Sequence, residues 1–244
     1  MDGPEFLDRG GRRLALRRRA GRGPALVFLP GYMSDMDGSK ATALDSWAAA
    51  EGRAMLRFDY GGCGLSGGEF EAQTLACWLD DAVAVVDSLD GRAVLVGSSM
   101  GGWLMLLAAL ARPGRVAALV GIAAAPDFTE WGFDPAQKAE LREAGRLEEP
   151  SPYGEAPYVT TRAFWESGEA LKLLGGEIAI GCPVRLLHGL ADADVPWRIS
   201  LRLMEQLRSA DVQATLIKDG DHRLSREGDL ARLVATVADL LESL

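Results

Sequence analysis

The pentad Gly97-Ser98-Ser99-Met100-Gly101 follows the apolar run 93–96 and leads into a helical stretch over 103–111. A serine with glycine two residues before and two after, set between a strand and a helix, marks a turn too tight for a side chain at either glycine position. Such an elbow holds Ser99 in a strained backbone conformation with its hydroxyl exposed, which is the setting of a nucleophile. It also demands a strand that runs directly into a helix, and so constrains the fold. The bland alternative is a Gly-rich turn that happens to carry a serine, and the rest of the chain decides against it by supplying partners.

A serine nucleophile needs a base, and the chain holds two histidines, His188 and His222. His188 closes an apolar run that starts at Val184, where a ring packs off a strand end. His222 follows the strand pattern 214–217 and the turn-rich Lys218-Asp219-Gly220-Asp221, which puts it on a loop beyond a strand's carboxyl end, where catalytic bases of open α/β sheets lie. The third member is a carboxylate that orients the imidazole. Asp192, in the turn after the run 184–188, is the choice. Asp194, able to cap a helix starting near Pro196, and Asp127, after the sixth strand, are its rivals. The order Ser99, Asp192, His222 is the chain order expected of an α/β-hydrolase triad. The oxyanion hole takes the N–H of Met100, after the nucleophile, and the N–H of Tyr32, in the loop that ends the strand 25–30. The Tyr32 ring either walls the acyl pocket or packs within its loop.

Strand-like runs at 5–9, 13–18, 25–30, 54–58, 93–97, 116–122, 184–188 and 213–217 alternate with helical patterns at 39–51, 75–89, 103–111, 196–208 and 225–241. Alternation of this kind predicts a mostly parallel eight-stranded sheet with helices on both faces, and short links among the first three strands predict an antiparallel edge there. The alternation breaks at 126–181, where helices are expected over 135–145 and 161–174 and aromatics concentrate. This reads as a cap inserted after the sixth strand, on a core formed by 1–125 and 182–244. Trp131, Phe133, Tyr153, Tyr158, Phe164 and Trp165 either line an acyl channel or pin the cap to the body. Tyr32, Trp131, Phe164 and Trp165 are taken as substrate-binding. Pro150, Pro152 and Pro157 suggest ordered extended linkers.

A net charge of −9 argues against nucleic acid as a partner, although Arg12, Arg13, Arg17, Arg18, Arg19 and Arg22 form a basic stretch that reads as a solvated edge hairpin. Cys63, Cys77 and Cys182 have no paired spacing and read as reduced packing thiols. The segment Asp59 to Gly68 is glycine-rich but lacks the lysine and Ser/Thr of a phosphate loop, so its glycines serve tight turns. No apolar run approaches the roughly 18 residues of a membrane span. The start Met1-Asp2-Gly3-Pro4-Glu5 lacks the character of a secretory or transit peptide, so a cytoplasmic location is expected. No metal or organic cofactor is expected.

Beyond the elbow, Phe28-Leu29-Pro30-Gly31-Tyr32, Arg57-Phe58-Asp59-Tyr60, the extension Gly102-Trp103-Leu104-Met105, Ala111-Arg112-Pro113, Cys182 to Gly189, Val195-Pro196-Trp197 and Asp221-His222-Arg223 give the chain a wider resemblance. It resembles, over nearly its whole length, the α/β-hydrolase subfamily of palmitoyl-protein thioesterases and acyl-glucuronide esterases. The resemblance implies that Ser99, Asp192 and His222 occupy the triad positions. It implies a serine hydrolase acting on esters or thioesters of acyl groups, small-molecule or lipid-derived, S-acylated proteins among them. That subfamily is typified by a mitochondrial enzyme, and its location is not expected to carry over, because the stretch from Met1 lacks the character of a transit peptide. Alternatives are a short-chain carboxylesterase, a cofactor-free perhydrolase on the same triad, and a ligand-binding receptor that kept the fold.

Overall fold

The apolar runs assemble into one eight-stranded sheet in a computed structural model that describes residues 3–9, 11–150 and 157–244. In chain order its strands are β1 (Glu5–Arg9), β2 (Arg12–Arg19), β3 (Arg22–Leu29), β4 (Arg53–Phe58), β5 (Ala93–Ser98), β6 (Val116–Ile122), β9 (Val184–Gly189) and β10 (Val212–Ile217). A separate two-stranded hairpin, β7 (Arg146–Glu149) with β8 (Tyr158–Thr161), falls between β6 and β9. The sheet order is β1-β2-β4-β3-β5-β6-β9-β10. Pairing is parallel from β4 through β10 and antiparallel for β1–β2 and β2–β4.

The expected antiparallel edge therefore needs a correction at the third strand. β3 follows β2 closely but crosses over β4 and pairs in parallel with β4 and β5. Its last four residues, Leu26 to Leu29, are all buried, and a run buried on both faces belongs inside a covered parallel sheet. The half-polar β2 tolerates the outer place. β5 and β6 are buried at every position and form the centre.

Helices cover both faces. On one side lie α2 (Leu75–Asp87), α3 (Met100–Ala111) and α7 (Arg198–Gln206), whose Trp78, Trp103 and Leu203 join one core with Leu95 and Leu119 of the sheet. On the other lie α1 (Ser39–Ala50) and α8 (Glu227–Glu242), whose Leu44, Leu233 and Val237 pack on Val94, Val96 and Val120. The alternating strand residues thus feed two cores, as the period of two requires.

Between β6 and β9 the chain forms α4 (Phe128–Trp131), α5 (Pro135–Ala144), the β7–β8 hairpin and α6 (Arg162–Ala170). α5 begins with a capping box in which Asp134 accepts from Gln137 N–H and the Gln137 side chain accepts from Asp134 N–H. The helix expected over 161–174 is shorter than foreseen, because 158–161 is strand and Thr161 caps α6 by accepting from Phe164 N–H. Tyr153 and Pro152 lie outside the described residues.

The arginine stretch forms the expected hairpin region but is not simply solvated. Arg12 pairs with Asp81, Arg17 with Asp37, Arg18 with Glu5 and Arg19 with Asp45. Arg19 thus ties β2 to α1 and Arg12 ties it to α2, through acids far away in sequence, while Arg18 holds β1 and Arg17 the turn before α1.

Candidate active site

The elbow is built as its glycines demand. Ser99 has φ 55° and ψ −120°, a strained conformation for a residue with a side chain. A Cβ at Gly97 would stand 2.3 Å from Gly101 O, and one at Gly101 would stand 2.1 Å from Leu29 O, so neither position admits a side chain. Ser99 occupies the N-cap of α3, where a serine hydroxyl ordinarily folds back onto a helix N–H, yet it makes no such bond. Its Oγ lies instead 3.1 Å from His222 Nε2. The helix starts at Met100, three residues before the periodicity suggested, so the Met100 N–H is a first-turn donor without an intrahelical acceptor.

His222 sits beyond β10, and Asp192 beyond β9. The two loops are laced together by Leu190 N–H to Ile217 O at 2.8 Å and Ala191 N–H to Gly220 O at 3.0 Å. This brings His222 Nδ1 to 2.9 Å from Asp192 Oδ2. The Asp192 side chain is 0 % exposed and that of His222 is 17 % exposed. Asp192 Oδ1 accepts from the N–H groups of Asp194 and Val195 at 2.9 and 2.8 Å. Oδ2 faces a second ring, His188 Nε2, at 3.1 Å. Burial alone would raise the Asp192 carboxyl, but the hydrogen bonds from His188, His222 and Val195 N–H outweigh it and hold the group well below the usual carboxylate range. Asp192, Asp194 and His222 are also the described residues whose ligand-type atoms cluster within 4.8 Å. The four hydrogen bonds already on Asp192 occupy the about four lone-pair sites of a carboxylate, which leaves it poorly suited to hold an ion.

The rival acids do other work. Asp127 accepts from Leu173 and Leu174 N–H, both at 2.7 Å, and so staples the end of the insertion to the base of α4. Asp194 offers its N–H to Asp192 and lines the cleft. α7 begins at Arg198, not Pro196, so Asp194 is not its N-cap.

A cleft of about 560 Å³ opens over Ser99. Tyr32, Met100 and His222 line it from the core; Phe128, Trp131, Phe133 and Tyr158 line it from the insertion. Trp131 is thus placed at the cleft. Phe164 and Trp165 are not: Phe164 is 1 % exposed within the main core, and Trp165 packs with Phe133, Leu141 and Leu147 while its Nε1–H donates to Thr129 O. Both are adjacent on a strongly amphipathic helix and turn inward to pin the insertion. The Tyr32 ring is clasped by Phe70, Trp78, Phe128, Tyr158 and Phe164, with centroids 5.1–6.4 Å away, and its hydroxyl donates to Val159 O on β8. Lys40, at the start of α1, also borders the cleft and donates to Arg223 O beside His222. Burial, aided by the Arg223 charge and opposed by Asp221 and Asp229, pushes its ammonium down to about 8.

Sequence reasoning missed two residues that touch this site. His188 read as strand-end packing, and its spacing of four from Asp192 was the available clue. Lys40 gave no signal beyond its place at a helix start.

A mostly parallel sheet covered on both faces, with a serine elbow meeting a histidine and an aspartate from later loops, defines the α/β-hydrolase class, and the chain belongs to it. Residues 23–157, more than half of the chain, match the hydrolase family model described as serine aminopeptidase, S33. The chain is 42 % identical over 236 residues to the human protein named palmitoyl-protein thioesterase ABHD10, mitochondrial, covering 95 % of this chain and 77 % of that one. Among solved structures it superposes on alpha/beta hydrolase domain-containing protein 10 from mouse with a TM-score of 0.93 at 39 % identity, over 99 % of each chain. A solved structure from Agrobacterium vitis S4 gives a TM-score of 0.91 at 41 % identity, over 98 % of this chain and 97 % of that one. The chain is therefore a hydrolase. Among the described residues no helix is long and apolar enough to cross a membrane. The human relative is named mitochondrial, so the expectation of a cytoplasmic location finds no support there.

Proposed function

We propose that this chain is a serine hydrolase that cleaves acyl esters or thioesters through an acyl-enzyme, with Ser99 as nucleophile, His222 as general base and Asp192 as its orienting acid. The observation that carries this reading is the unbroken run from Ser99 Oγ to His222 Nε2 at 3.1 Å and from His222 Nδ1 to Asp192 Oδ2 at 2.9 Å. Both lie within the reach required for proton transfer. His222 takes the Ser99 proton as Oγ attacks the carbonyl carbon, and Asp192 stabilises the imidazolium. The N–H groups of Tyr32 and Met100, both on the cleft wall beside Ser99, hold the oxyanion. His222 passes its proton to the leaving thiol or alcohol, then activates water, which releases the acid and restores Ser99.

The residues 126–181 act as the cap, and the aromatic wall formed by Phe128, Trp131, Phe133 and Tyr158 receives the acyl chain. A volume of about 560 Å³ suits a ligand of drug size or a long acyl group. Likeness to a protein named palmitoyl-protein thioesterase supports a thioester of a fatty acyl group on a protein as the substrate.

The test is kcat/KM for matched oxygen esters and thioesters with four-carbon to sixteen-carbon acyl groups, using Ser99→Ala as the blank and a fluorophosphonate probe to report on Ser99. Preference for long-chain thioesters is the expected result. Clear preference for short oxygen esters would make the chain a small-ester carboxylesterase, and failure of the probe to label Ser99 would sink the serine mechanism and return the receptor reading.

A further inference from the structure

His188 ends β9 with its side chain 0 % exposed, and both ring nitrogens have partners. Nε2 lies 3.1 Å from Asp192 Oδ2 and 3.0 Å from the Val195 carbonyl oxygen. An ionised carboxylate and a backbone carbonyl only accept, so the hydrogen sits on Nε2. Nδ1 lies 2.7 Å from Ser200 Oγ on α7, itself a buried residue. One carboxylate oxygen therefore faces two imidazoles, of which His222 meets the serine.

We propose, resting on the triad reading above, that His188 and Ser200 form a positioning pair for the base: the Ser200 hydroxyl donates to His188 Nδ1 and fixes the neutral ring, whose Nε2–H donates to Asp192 and holds its carboxylate on His222. Neutrality is the essential property. A doubly protonated His188 would set a permanent cation against Asp192 and cancel the charge that stabilises the His222 imidazolium when Ser99 loses its proton. A neutral ring with its hydrogen on Nδ1 would set a lone pair against the Asp192 oxygen. In the one useful form the Ser200 hydroxyl donates to Nδ1.

The pair does two things for the reaction. With the Asp194 and Val195 N–H groups on Oδ1 it fixes the plane of the carboxylate from both ends, so the His222 ring is aimed by a support that cannot rotate. It also draws off part of the charge that Asp192 presents to His222. Asp192 meets His222 at Nδ1, and the other charged groups that line the cleft with His222 are Asp35, Lys40, Glu149, Asp194 and Arg223. His188 meets Asp192 from its own loop and Ser200 from α7. Deleting the His188 ring leaves those other groups in place and removes a partner from Asp192, from the Val195 carbonyl and from Ser200.

The experiment measures kcat, KM and the pH profile of kcat/KM for p-nitrophenyl butyrate in wild type, His188→Leu, His188→Gln and Ser200→Ala, with far-UV circular dichroism to verify folding. A positioning role predicts that His188→Leu loses about 100-fold in kcat with KM nearly unchanged. Its acidic limb should move up by roughly half a pH unit as Asp192 presents more charge to His222. Glutamine places an N–H donor where Nε2 stood, so His188→Gln should recover the limb and most of the rate. Ser200→Ala should lose roughly tenfold in kcat. A folded His188→Leu with kcat within about twofold of wild type and an unmoved limb overturns the proposal, as does a glutamine variant no better than leucine. If the leucine variant fails to fold, Ser200→Ala decides, and unchanged kinetics there overturn the pairing. Fluorophosphonate labelling of wild type separates the two readings: an unlabelled Ser99 removes the triad itself, whereas a labelled enzyme with insensitive variants removes only the role of His188 and Ser200.

Discussion

The two walls of the cleft are built by different physics. The sheet-side wall is set by backbone: a serine at φ 55°, two glycine positions with no room for a Cβ, and two loops laced together by main-chain hydrogen bonds around Asp192. The insertion-side wall is set by side chains, ring on ring around Tyr32, with the Tyr32 hydroxyl donating to Val159 O. A strained, over-determined backbone fixes the place of the Ser99 hydroxyl, as the proposed proton transfer to His222 requires. Packed rings fill volume and can shift against each other, which suits the acyl-binding wall proposed above.

The largest effect that can break this contrast lies on the sheet side. Asp192→Asn keeps the shape of the side chain but replaces one carboxylate oxygen by an amide nitrogen, which donates and cannot accept from His222 or His188. In a serine triad this change costs about 10⁴-fold in kcat by fixing the wrong tautomer of the base. The same loss is expected here, measured on a short ester, with KM little altered. Retention of more than about a tenth of wild-type kcat would mean that the sheet-side wall is less exacting than its geometry implies.

The next test compares two aromatic residues of the insertion. Phe164 is 1 % exposed in the core, whereas Trp131 borders the cleft with its Nε1–H donating to Pro126 O. Phe164→Ala should cost about 3–5 kcal/mol of stability, seen as a lower urea midpoint. Trp131→Ala should raise KM about tenfold for sixteen-carbon substrates while four-carbon substrates hardly change. Interchanged outcomes would move Phe164 to the acyl wall and Trp131 to the core.

The same contrast governs what could be read from sequence. The elbow is legible because its constraint is local: five consecutive residues carry the turn and its steric reason. His222 emerges from elimination between two histidines and a loop position, and Asp192 from the loop after the neighbouring strand. The insertion resists the same approach. β7 reads Arg-Leu-Glu-Glu, with little apolar alternation, and becomes a strand because 158–161 returns beside it. Phe164 and Trp165 are large aromatics like Trp131, and their burial is decided by which face of α6 meets the body. β3 was misplaced because short links favour hairpins, while its fully buried end draws it into the sheet centre. His188 was visible as a residue, but the turn of its ring toward Asp192 depends on α7 bringing Ser200 to the other nitrogen.

The smallest effect concerns Lys40, where the two walls meet the mouth of the cleft. Burial lowers its ammonium from 10.5 when free to about 8 in the folded chain, so between those values the unfolded chain binds more protons than the folded one. Stability contributed at this site must then rise as pH climbs from about 8 toward 10.5, the reverse of the usual paired lysine. Lys40→Met removes the charged form and the hydrogen bond to Arg223 O together. The variant should therefore lack that rise, and its stability relative to wild type should be greatest below pH 8 and decline above it, as read from urea midpoints in matched buffers. Because all other titrating groups are shared, they cancel in the difference. A difference flat across this range would show that Lys40 keeps its ordinary basicity and that solvent reaches it, leaving the Arg223 carbonyl as a weak tether for the His222 loop.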